Sequence, residues 1–262
     1  MDFALDDVQA ELKSQARTWL EQRYPLDRDW DAPQDDRWAE LGELGWLDVA
    51  EAGLGFVEEA LLVEEMGYVL YPGPYLAHVA GQAEANGFAF DGDADIPSVD
   101  PSRPLRRVAP GNGVETPRLR AAMAAEAVGV AQRALELGIA HATTREQFGR
   151  PIGVYQAVSH QLADTYADVE LARSLAYWAA WSVAEEDEQA TVAAAAAKAF
   201  ATETAVRACE RSIQVHGGIG FTWEHPLHRF YKRALWLEGF GSRPAQLRAE
   251  VADALLGVGV TA

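Results

Sequence analysis

Cysteine occurs once in the 262 residues, at Cys209. That excludes an intramolecular disulfide and a cysteine-rich zinc site, and it fits a reducing compartment. Basic residues are also scarce, with 22 Lys and Arg against 40 Asp and Glu, a formal net charge of -18. A field of that sign repels phosphate, so duplex DNA, RNA and anionic lipid are excluded as default partners, and an anionic cofactor must find a local basic or helix-terminal site. No run reaches the roughly 18 uninterrupted apolar residues that a membrane span needs. The opening "MDFALDDVQAELK" has no basic stretch ahead of an apolar one. These absences predict a cytoplasmic chain with neither a membrane nor a nucleic-acid partner. Hydrophobic residues make up 49%, enough for a core of normal size.

Helical periodicity dominates what is present. Asp6 or Asp7 caps "VQAELKSQARTWLEQR", a second helix is predicted over "DDRWAELGELGWL", and a third, "VEEALLVEEMGYVL", stops at Tyr71-Pro72-Gly73-Pro74. Residues 1–81 thus read as an N-terminal helical domain. Residues 82–117 are rich in Gly, Pro and Asp with short β-like pieces such as "RRVA", a linker too small for a sheet with its own core. From 118 to 262 the pattern is helical again: Leu119, Met123, Val130, Ala134 and Leu137 recur at helix spacing, then Val158, Leu162, Tyr166 and Val169, then an alanine-rich stretch. Long helices joined by short corners predict an all-α bundle. The acidic "AEEDEQ" is expected to be solvated.

Three stretches carry candidate chemistry. In "TTREQFGRPIGVYQAVSHQLAD" a helix breaks at Phe148-Gly149-Arg150-Pro151. Arg145 beside exposed backbone can hold a pyrophosphate and Phe148 can pack on a heterocycle; equally, Arg145 can complement the helix end and Phe148 can fill the corner. In "QVHGGIGFTWEHP", Gly217, Gly218 and Gly220 allow left-handed backbone or close ligand approach, with Gln214 one turn upstream offering donor and acceptor. A glycine-rich helix cap accounts for the same residues, and the preceding helix rules out a strand-to-helix dinucleotide fingerprint. His216 and His225 lack a supporting ligand pattern and are expected to pack or hydrogen-bond, with no metal. In "LWLEGFGS", Glu238 is either a solvated carboxylate or, in apolar surroundings that raise its pKa, a general base.

The order and spacing of "TREQFGRPIGVYQAVSHQLAD", "QVHGGIGFTWEHPLHRFYKRA" and "LEG" resemble the flavin-dependent acyl-CoA dehydrogenase family, strongly in the last 145 residues and more loosely in the first 80. The resemblance implies an N-terminal helical domain and a C-terminal four-helix bundle. It also implies that Arg145, Phe148, Gln214, Gly217 and Gly218 reach the adenosine diphosphate part of an FAD bound mainly by a neighbouring subunit. Glu238 falls on the family's catalytic base, which removes the proton next to the thioester while hydride leaves the adjacent carbon for the flavin.

One departure matters. Residues 82–117 are far too short for the family's central β domain, so the isoalloxazine cradle is missing. That combination resembles one subunit of actinobacterial heteromeric dehydrogenases for steroid side-chain CoA thioesters, α2β2 assemblies with fewer flavins than subunits. It implies a full-length family member as partner, a shared FAD and an acyl-CoA substrate. A self-sufficient homo-oligomeric acyl-CoA enzyme and a non-catalytic scaffold or acyl-CoA-binding subunit remain as alternatives.

Overall fold

The computed structural model describes residues 4–32, 34–81, 84–85, 87–90, 96–108 and 115–257. Helix α1 (Asp7–Arg23) starts where the sequence sets it: the Asp6 carboxylate accepts the Gln9 N–H at 2.8 Å, and the Gln9 side chain accepts the Asp6 N–H at 3.2 Å. This reciprocal cap satisfies two otherwise orphaned donors. The next predicted helix is shorter than expected. Arg37 at φ 49 precedes α2 (Trp38–Glu43), and Gly45 at φ 73 turns the chain away. Helix α3 (Phe56–Val69) ends on left-handed Leu70, just ahead of Pro72, and a helix unforeseen in the sequence, α4 (Tyr75–Ala80), follows.

Of the expected irregular segment, residues 82–83, 86, 91–95 and 109–114 lie outside the described residues. The remainder includes β1 (Glu84–Ala85), β2 (Phe88–Ala89) and β3 (Arg106–Arg107), paired antiparallel in that order. Strands of two residues cannot enclose a core.

Helices α5 (Pro117–Thr144), α6 (Gln156–Ala184) and α7 (Ala190–His216) have 28, 29 and 27 residues, and α8 (Leu227–Gly239) and α9 (Pro244–Leu256) complete the all-α bundle. Thr116 caps α5 by accepting the Leu119 N–H at 3.2 Å, with Pro117 in the first turn, where its missing donor is not needed. Leu119, Met123, Val130 and Ala134 are buried as their spacing predicts, whereas Tyr166 is 56% exposed and belongs to the outer face of α6.

The N-terminal helices and the bundle share one hydrophobic cluster, which runs from Leu20, Leu62 and Met66 through Met123 and Val130 to Phe230. Packing is continuous across the compositional boundaries at 81 and 118. Two glycines allow this. A Cβ on Gly129 would lie 1.9 Å from the Glu64 carbonyl oxygen, and one on Gly67 would lie 2.3 Å from that of Glu126. The backbones of α3 and α5 therefore cross in direct contact.

Candidate active site

Arg145 closes α5, its N–H donating to the His141 carbonyl at 2.8 Å. The chain then makes a tight hairpin, β4 (Glu146–Gln147) paired with β5 (Arg150–Pro151), whose two turn residues Phe148 and Gly149 have φ of 54 and 77. Positive φ at both central positions is the geometry that suits the twist of two strands and usually selects Asn-Gly; a phenylalanine there is strained. In this conformation Phe148 is 92% exposed, and among the described residues its one ring contact is edge-on to Tyr155. Tyr155 in turn donates to the Gln147 carbonyl at 3.1 Å and lies under the Arg150 guanidinium. Phe148 does not fill the corner. Nor does the exposed Arg145 guanidinium hydrogen-bond to the α5 carbonyls; among the described residues it has no hydrogen-bond or ion-pair partner.

The second motif closes α7. Gly217, at φ 62 and ψ -135, donates its N–H back to the carbonyls of Ile213 and Gln214, in a region that side chains avoid. A Cβ on Gly217 or Gly218 would meet nothing within 4 Å, so both open outward. Gly220 is glycine for packing, since its Cβ would lie 2.6 Å from the Ile213 carbonyl. Gln214 is exposed with its amide free of described partners.

Three imidazoles join these motifs. His141, one turn before Arg145, stacks on His216 with ring centroids 4.3 Å apart, and His216 lies 4.4 Å from His225. His216 Nδ1 is 2.8 Å from the Ser212 carbonyl. Burial lowers the pKa of all three. For His225 it does so to about 4, with His216, His141 and His228 adding to the effect. The stack is therefore uncharged at neutral pH. Among the described residues, no group of three or more His, Cys, Asp or Glu is placed to hold a metal ion.

Glu238 occupies the last turn of α8, partly buried. Burial raises its pKa, and Glu203 and Glu210 raise it further, against Arg243. The expected apolar setting is thus only part of the cause, because α7 brings two carboxylates alongside. A cavity of 590 Å³ opens next to this turn, lined by Phe88, Leu105, Trp236 and Phe240 among others; Glu238 is not among its lining residues.

The turn after Glu238 is held by groups that sequence reading missed. Fully buried Lys198 pairs with Glu115 and donates to the Phe240 carbonyl at 2.7 Å, while Glu115 accepts the Ser242 N–H at 3.1 Å. Gly241, at φ 72, lies against the same carboxylate, where a Cβ would be 2.5 Å from Glu115 Oε1. The signal was present in "TVAAAAAKAFATET": a lone lysine in an alanine helix has to be buried with a partner or reach water.

The chain therefore carries an exposed aromatic and guanidinium, an open glycine turn beside them, and a carboxylate of raised pKa at the end of α8. The acyl-CoA dehydrogenase C-terminal domain family matches residues 116–255. The acyl-CoA dehydrogenase IpdE2 of Mycolicibacterium smegmatis is 33% identical over 240 residues, covering 70% of this chain and 74% of that protein. The probable acyl-CoA dehydrogenase YngJ of Bacillus subtilis is 42% identical over 138 residues, which is 52% of this chain but 36% of YngJ. Among solved structures, the ChsE4-ChsE5 complex of Mycobacterium tuberculosis superposes with a TM-score of 0.78 at 21% identity, covering 99% of this chain and 100% of that one. The Tcur3481-Tcur3483 steroid ACAD superposes with a TM-score of 0.77 at 24% identity, covering 96% and 98%. At those identities the structures speak for the fold alone, while the sequence matches across the bundle and beyond it place the chain in the acyl-CoA dehydrogenase family.

Proposed function

We propose that the chain is one subunit of an FAD-dependent acyl-CoA dehydrogenase that completes the flavin site of a full-length partner and acts in the α,β-dehydrogenation of an acyl-CoA thioester. The observation that carries this reading is the Phe148 turn. An aromatic ring held in strained backbone and left in solvent, beside an arginine with no partner among the described residues, is a half-site waiting for a surface from another chain.

The residues fit the adenosine diphosphate end of FAD. Phe148 offers a ring face for a purine, Arg145 a charge-assisted donor for a pyrophosphate, and Gly217 and Gly218 a backbone with no Cβ in the way. Gln214 adds an amide that can both donate and accept. These groups bind and orient. When bound, FAD supplies the hydride acceptor for the carbon β to the thioester.

Glu238 is the proposed base for the proton on the α carbon. A carboxylate whose pKa is raised by burial and by neighbouring carboxylates holds a proton more readily, which favours its transfer from carbon near neutral pH. The Lys198–Glu115 pair fixes the turn that follows it. Two likenesses support the proposed partner type and substrate: one structural neighbour is a complex of two named chains and another is called a steroid ACAD. A steroid side-chain CoA thioester and an α2β2 heterotetramer are the corresponding proposals.

The reading is tested by charge reversal at Arg145. Arg145→Glu in the co-purified complex is expected to lose flavin on gel filtration without loss of assembly. Unchanged flavin occupancy would overturn the assigned role.

A further inference from the structure

A second cavity, of 290 Å³, lies between the N-terminal helices and α8, lined by Arg28, Trp30, Leu70, Pro72, Arg229 and Lys232 together with the loop at 100–102. It shares no lining residue with the hairpin, the glycine turn or Glu238. In a chain of net charge -18, three cationic side chains around one small cavity are out of proportion.

The local charge balance makes the excess concrete. Beneath the cavity, buried Arg233 is matched by Asp100 and Glu126, and Arg103 donates to Glu126 at 2.8 Å. Asp100 lines the cavity, but its oxygens are already engaged by Arg233 and by Ser102. Around the cavity itself, Arg229 pairs at 2.7 Å with Asp31, whose side chain is 91% exposed. Arg28 has no carboxylate at all among the described residues. Its Nη groups donate to the carbonyls of Tyr24, Pro25, Val69 and Leu70, and its buried Nε has no partner. Among the described residues, Lys232 Nζ has only the face of the Trp223 ring, at 4.2 Å. Two cations thus lack a paired counter-charge among the described residues, and a third is matched only at the rim.

The Arg28 guanidinium is largely out of water with its Nη groups bonded to carbonyls, and its charge, which no carboxylate among the described residues offsets, favours an anion in the cavity by Coulomb attraction. Burial and the neighbouring Arg233 and Arg229 lower the Arg28 pKa to about 10, still cationic at neutral pH. Trp30 holds its position, with its Nε1–H bonded to the Leu26 carbonyl at 3.0 Å and the Arg28 guanidinium 3.5 Å from its ring centre. Leu70, Pro72 and Pro101 give the cavity an apolar wall opposite the charges. A few convergent polar groups on an apolar wall are the usual make-up of a small-ligand pocket.

We infer that this cavity binds a small oxyanion-bearing molecule, a phosphomonoester or a carboxylate, its charge held by Arg28, Arg229 and Lys232 and its apolar part against Leu70, Pro72 and Pro101. The inference stands apart from the flavin reading, and either can fail alone.

The test is calorimetric titration of the purified chain with phenyl phosphate and with benzoate, using sodium chloride as the ionic-strength control. Saturable binding of one or both is expected, with dissociation constants in about the millimolar range or below. Phenyl phosphate alone would assign a phosphate-bearing ligand, and benzoate alone a carboxylate. Lys232→Gln and Arg229→Gln, each checked for native circular dichroism, should weaken binding about tenfold or more. Absence of binding by either probe, a response matched by chloride, or full affinity in both variants would each overturn the inference.

Discussion

The imidazole of His141 lies on that of His216, centroids 4.3 Å apart and planes 26° from parallel, and so ties the end of α5 to the end of α7. With His225 on the other side of His216, it couples the arginine–phenylalanine hairpin to the glycine turn. This uncharged stack sets the relative position of the two proposed cofactor contacts.

It also sets a pH dependence. The folded pKa values of these histidines are lowered, that of His225 to about 4, against about 6.5 when unfolded. Between those values the unfolded chain binds more protons, so stability is complete above about pH 6.5 and declines as pH falls toward about 4. Urea midpoints across that range should show the decline. His225→Asn should flatten it, while Arg145 and His228, the charged or titratable neighbours, remain in place.

Phe148→Gly separates binding from folding. Removing a side chain from a strained left-handed turn should leave the chain as stable, or more stable by about 1 kcal/mol, in urea melts. In the assembled complex the same change should lower flavin retention. Equal retention would return Phe148 to a purely local role.

Arg233 is fully buried with Asp100 and Glu126. Arg233→Met leaves two buried carboxylates without their shared partner and should cost about 3–5 kcal/mol, read from chemical denaturation. Asp100, whose folded pKa is held down chiefly by Arg233 against its burial, contributes stability that is present above its unfolded pKa and lost as pH falls below it. In the variant this acid-range loss should disappear.

Glu238→Gln should leave assembly and flavin content intact and abolish turnover in a complex with an acyl-CoA dehydrogenase partner. Full activity in that variant would assign the base to the partner.

Much of this arrangement was legible in the sequence because it is local. The Asp6 cap, the stop before Pro72, the long alanine-rich helices and the glycines at 217 and 218 each follow from the residues beside them. What was not legible depends on residues far apart. The contact of α3 with α5 through Gly67 and Gly129 needs the pairing of two distant helices. The carboxylates around Glu238 come from α7, and the buried Lys198 finds Glu115 more than eighty residues away. Helix α4 was hidden by its brevity and by the prolines before it. The hairpin at Phe148 was read as a break, since its turn residues are not the usual Asn-Gly pair.

Whether the flavin site is shared between two chains is read from the visible absorption spectrum, with flavin-to-protein ratio, of this chain purified alone and after co-expression with a full-length acyl-CoA dehydrogenase. Flavin in the co-purified complex and none in the isolated chain is the predicted result. A stoichiometric flavin on the isolated chain, or a colourless complex, would contradict it.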